Sequence, residues 1–112
     1  MPKRLEEIFN TKDIDGLDSG VLFKGVMNHV DELSNEEFSR ALELLPLDAK
    51  LLAMKERCKK TNDTVACMTY DIAIHGDPSA PVGTPKHLGL EGLWYEKRNE
   101  EARKSLERVG EL

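Results

Sequence analysis

The chain has no long apolar run. Nowhere do about eighteen apolar residues follow one another, the length a membrane-crossing helix needs, so no span is expected. It has only two cysteines, Cys58 and Cys67, too far apart for a Cys-x-x-Cys motif. That usage reads as a reduced, intracellular chain rather than a disulfide scaffold, with Cys58 as a small buried apolar residue. The opening Met1–Glu7 turns acidic at once with no apolar stretch behind it. No secretory signal of the usual form is expected, and the expected location is the cytoplasm. Bases are the minority charge, 16 against 21 acids, for a net charge of -5. A chain that displaces counterions from phosphates carries the opposite balance, so nucleic acid is not an expected partner.

Recognisable chemistry is missing as well. No nucleophile elbow, phosphate loop, zincin helix or dinucleotide fingerprint occurs. Cys58, Cys67, His75 and His87 could gather around zinc only across gaps of eight, seven and eleven residues. A tetrahedral zinc site usually includes at least one tightly spaced pair, and none is present. Asp13, Asp15 and Gly16 stand at positions three, five and six of a calcium loop, but Thr11 and Leu22 occupy positions one and twelve. Without the bidentate glutamate the segment reads as an acidic interhelical loop. No metal, no cofactor and no enzymatic activity are expected.

What is present is a helical pattern. At 112 residues with 39% hydrophobic content, the chain suits a single helical domain over 1–112 with one core. Pro2 suits a first helical turn, and Leu5, Ile8 and Phe9 follow at helical spacing to about Asn10. Residues 11–20 read as a loop. Asp18 or Ser19 then caps a helix with Leu22, Phe23, Val26, Met27, Val30 and Leu33 on its inner face, where Gly25 marks a weak point or a close crossing. Ser34 and Glu37 form a capping box, with Leu33 and Phe38 as the accompanying staple, and Pro46 closes that helix. Asp48 is placed as the cap of the next helix, which buries Leu47, Leu51, Met54 and Cys58. Residues 64–75 alternate as a strand would, yet Asp63 or Thr64 can cap and Gly76 can close a helix, which is the preferred reading. Residues 77–87, with three prolines, read as a long loop, and a last helix runs from Leu88 or Leu90 to Val109. The fold class predicted is all-α, an irregular orthogonal bundle of five to six helices with a Pro-rich loop before the last helix.

Three groups of residues are functional candidates. Lys50, Lys55, Arg57, Lys59 and Lys60 form a basic cluster, read as a solvated helix end suited to the helix dipole rather than a phosphate patch. Trp94 and Tyr95 are adjacent and so diverge by about 100° on a helix. Tyr95 also begins a thin apolar stripe with Ala102, Leu106 and Val109, while Glu96–Glu101 offer nothing to a core. The expectation is that residues 96–112 project and bind a protein partner or a second copy through these five residues, tryptophan and tyrosine being common interface anchors. His75, Asp77 and His87 bracket the Pro-rich loop and define the alternative. That is a small-ligand or hydrolytic site built from residues 75–87 and the start of the last helix, where Gly89 and Gly92 leave amides for an anion. The leading reading is a small acidic, non-enzymatic interaction protein. It would serve as an inhibitor, adaptor or assembly factor, such as a virus- or plasmid-encoded modulator of host machinery.

Overall fold

The computed structural model describes residues 3–110. The expectation for Pro2 and the last two positions of segment 96–112 lie outside them. The described residues form seven helices and no strand: α1 (Leu5–Phe9), α2 (Ser19–Asn28), α3 (Asn35–Glu43), α4 (Leu47–Thr61), α5 (Thr64–His75), α6 (Pro85–Lys97) and α7 (Glu100–Gly110). None is long and apolar enough to cross a membrane.

Most helix ends follow local chemistry. The Asp18 carboxylate accepts from Gly20 N at the start of α2, and the Asp63 carboxylate accepts from Val65 N at the start of α5. Each satisfies an amide that the helix leaves without a partner. Segment 64–75 is thus helical, and its alternation of apolar residues is not a strand. At α3 the Ser34 hydroxyl accepts from Glu37 N at 3.2 Å. Only this half of the capping box forms. The Glu37 carboxylate accepts instead from Leu5 N at 3.3 Å and pairs with Arg40, tying the N-terminal segment to α3. Ser34→Ala should therefore lower stability by about 0.5–2 kcal/mol in urea unfolding. An unchanged midpoint would show that this cap contributes nothing.

Three expected boundaries shift. α4 begins at Leu47 with Pro46 as its cap residue, so Asp48 lies inside the first turn and pairs with Arg108 of α7. α6 begins at Pro85, inside the segment read as loop, because Thr84 caps it and proline suits the first helical position. The expected last helix is two helices. Arg98 takes a left-handed φ of 49°, and the Asn99 side chain accepts from Ala102 N at 3.0 Å to begin α7. The polar run Glu96–Glu101 is thus a corner between helices, and the helix count rises to seven.

Two apolar clusters meet on α4. The first joins Leu5, Ile14, Leu22, Val26, Val30, Leu33, Phe38 and Leu45 to Ala49 and Ala53 of α4. The second joins Leu51 of α4 to Ile74, Leu90, Ala102 and Val109. Gly25 marks a close crossing: a Cβ there would sit 2.3 Å from the Phe9 ring of α1. α7 packs against α4 and α6 with Ala102, Ser105 and Val109 buried, so its described residues do not project. The stripe reads as thin because small residues suffice where a helix lies close against its neighbours.

Cys58 and Cys67 correct another expectation. The turn at Asn62 folds α5 back along α4, bringing their Cα atoms to 4.7 Å, and the two form a disulfide. Neither is a free thiol, and the argument from cysteine usage to a reducing compartment lapses.

Candidate interaction surfaces

Of the five residues singled out around the last helix, Ala102 and Val109 are core residues, at 3% and 4% exposure. Of the other three, Tyr95 is exposed, while Trp94 and Leu106 are half-buried against the second apolar cluster and still reach the surface. Trp94, Arg103, Leu106 and Glu107 line a groove of about 240 Å³. A second groove of about 470 Å³ shares Trp94 and Arg103 with it and adds Tyr95, Arg98 and Glu100. The Trp94 and Tyr95 rings meet edge to face with centroids 4.6 Å apart, and Tyr95 is 69% exposed. The α6–α7 corner creates this arrangement. α6 carries the two rings to its end, the left-handed turn at Arg98 reverses the chain, and α7 returns with Arg103 and Leu106 alongside. Arg103 is held by Glu100 and by Glu107, the latter at 2.9 Å, and these carboxylates raise its pKa. The site is therefore amphipathic, with two aromatic rings and an aliphatic floor framed by positioned charges.

The alternative residues are engaged separately. His75 Nδ1 lies 2.7 Å from Glu91 on the exposed side of α5 and α6. The Asp77 carboxylate accepts from the Ser79 amide at 2.9 Å and hydroxyl at 2.6 Å, and these bonds hold its pKa below the usual aspartate value. His87 Nδ1 accepts from Gly83 N at 3.4 Å. Neither histidine lines any of the grooves described for this surface, and Asp77 serves to shape its own turn. Gly89 serves packing: its φ is +68°, and a Cβ there would lie 2.2 Å from Gly76 N. Gly89 lets the kinked start of α6 rest against the end of α5, which is why this position takes glycine.

The basic cluster is dispersed. Arg57 is buried at 6% exposure, Lys55 donates to Val109 O at 3.2 Å, and Lys60 pairs with Glu56. No group of three or more His, Cys, Asp or Glu side chains among the described residues is arranged to hold a metal.

One surface escaped the sequence reading. α5 exposes Val65 (60%), Met68 (54%) and Ile72 (36%), spaced three and four residues apart on one side. Beside them Asn35, Phe38, Ser39, Met54, Arg57, Val65, Ala66 and Thr69 line a groove of about 130 Å³ between α3 and α5, with α4 as its floor. Their helical spacing is visible in the sequence; which side of α5 meets α4 is not.

No protein-family model matches the chain, and no curated protein or solved structure matches it.

Proposed function

We propose that this chain is a non-enzymatic protein-interaction module, an inhibitor, adaptor or assembly factor, which engages a protein partner through the α6–α7 corner. The observation that carries this reading is the pair of grooves that share Trp94 and Arg103, one adding Leu106 and the other Tyr95 and Arg98. Tryptophan, tyrosine and arginine are the residue types that most often dominate binding energy, and here they share one small concave area. Tyr95 keeps most of its ring in solvent and has two χ angles to lose, so ordering it on binding costs little. Self-pairing along Tyr95, Ala102, Leu106 and Val109 is not favoured, because Ala102 and Val109 are already covered.

A photo-crosslinking aromatic residue placed at Tyr95, with Val82 (88% exposed) as control position, tests the proposal in the producing cell. A discrete protein adduct is expected from position 95 and not from position 82. Tyr95→Ala should leave thermal stability within about 0.5 kcal/mol of the parent, as surface substitutions usually do. It should weaken capture of the adduct partner by about tenfold or more. Adducts from position 95 no richer than those from position 82 would overturn the proposal.

A further inference from the structure

We infer that the α3–α5 groove and the Val65–Met68–Ile72 ridge beside it form a docking surface for a cationic amphipathic helix of a partner protein. This surface is separate from the α6–α7 corner and does not depend on the function proposed there. Three observations carry the inference.

The first is shape. Residues 65, 68 and 72 project as one ridge, which meets at Val65 the groove that Asn35, Phe38 and Ser39 of α3 form with Val65, Ala66 and Thr69 of α5. An apolar ridge with anchors spaced three and four apart, flanked by a groove, is the geometry that receives a second helix.

The second is rigidity. The Asp63 cap and the Cys58–Cys67 disulfide hold the start of α5 on the end of α4. A preformed ridge spares an incoming helix the cost of ordering its receptor.

The third is charge. Glu36 and Glu43 are exposed on α3, in line with Ser39 at helical spacing, and Asp71 is exposed on the opposite flank of the α5 ridge. None of these three carboxylates has a hydrogen bond or ion pair among the described residues. The facing cations are few. Arg57, the basic residue that lines the groove, is already bonded to backbone carbonyls and Asn35, Arg40 of α3 is held by Glu6 and Glu37, and Lys50 lies half-buried one turn before Met54. Lys55 and Lys59 lie on other sides of α4. Acids therefore border an apolar ridge on both sides, which complements a helix carrying lysine or arginine beside its apolar face. A second copy of this chain would instead bring Glu36, Glu43 and Asp71 against their own equivalents within a chain of net charge -5.

The test is an amide-shift NMR titration of the oxidised, full-length chain with three synthetic peptides of about 18 residues, long enough to span the groove as a helix. One places leucine at helical spacing and lysine elsewhere, one scrambles that composition, and one replaces lysine by glutamate. The leucine–lysine helix should bind at least about tenfold tighter than either control, with the largest shifts at Val65, Met68, Ile72 and Ser39. Val65→Ser/Met68→Ser should weaken it by about tenfold, and Glu36→Gln/Glu43→Gln by about threefold or more with a flatter salt dependence. Both sets of substitutions lie on the surface, so an unchanged amide fingerprint away from the sites certifies the fold. Equal affinity for the scrambled or acidic peptide, or shifts centred elsewhere, would overturn the inference. So would concentration-dependent shifts of the same residues without any peptide, which would assign the surface to a second copy.

Discussion

Arg57→Ala is expected to lower the unfolding free energy by about 3–5 kcal/mol, the sum of its lost hydrogen bonds to buried carbonyls and its lost side-chain packing. The guanidinium donates through Nη1 to Val30 O at 2.6 Å and Leu33 O at 2.9 Å, and through Nη2 to Asn35 Oδ1 at 2.9 Å. Its carbon also sits 4.6 Å from the centroid of the Phe38 ring. One side chain thus closes the end of α2, the α2–α3 turn and the start of α3 onto α4. Removing it leaves two buried carbonyls without a donor, and hydrogen bonds from a charged donor contribute about 1.5–3 kcal/mol each. Burial lowers the Arg57 pKa, against the attraction of Asp63 and Asp31, yet a guanidinium stays protonated in proteins and remains a full donor set. Arg57→Lys should recover only part of the loss, because one ammonium cannot reproduce the planar fork. Urea unfolding of the three proteins measures this. An alanine variant within about 1 kcal/mol of the parent would mean that water reaches those carbonyls.

The second large effect concerns the disulfide. Breaking Cys58–Cys67 by a dithiol reductant, or by Cys58→Ser with Cys67→Ser, should lower stability by about 2–3 kcal/mol, the loop-closure value for a short ring. The two residues are nine apart in sequence. The change should be uneven. Ile74, near the C-terminal end of α5, is that helix's buried residue, whereas Val65 and Met68 near its start are exposed. The first half of α5 therefore depends on the cross-link more than on burial. Hydrogen exchange of residues 64–70 should accelerate on reduction, while α2 and α3, packed in the other cluster, keep their protection. An unchanged melting temperature with unchanged exchange would show that the Asn62 turn and side-chain packing hold α5 without the cross-link.

Most helices were legible because their causes are local. A cap at Asp18, Ser34 or Asp63 acts on an amide two or three residues away, and a glycine at position 76 ends a helix within one turn. Two local signals were nonetheless read the wrong way. Thr84 before Pro85 is a helix start, but three prolines close together suggested a loop. Asn99 before Glu100 and Glu101 is a cap followed by an acidic first turn, but inside a polar run it resembled the solvent side of a longer helix.

The candidate site was half legible. Trp94 and Tyr95 stood out by residue type, but Leu106 reaches a groove beside Trp94 only because the chain reverses at Arg98. Ala102 and Val109 share its stripe and turn to the core, since a helix side is inward or outward only relative to what packs on it. The α5 ridge was missed for the same reason.

The sequence by itself determined the all-helical class, the caps at Asp18, Ser34 and Asp63 and most of the apolar faces, since these depend on neighbours within about one turn of helix. The tertiary structure alone decided that Cys58 meets Cys67 and that Arg57 turns inward among basic neighbours facing solvent. It alone decided that α7 folds back onto α4 and that Val65, Met68 and Ile72 remain uncovered. Burial and pairing depend on which distant segments meet, and helical periodicity carries no information about that.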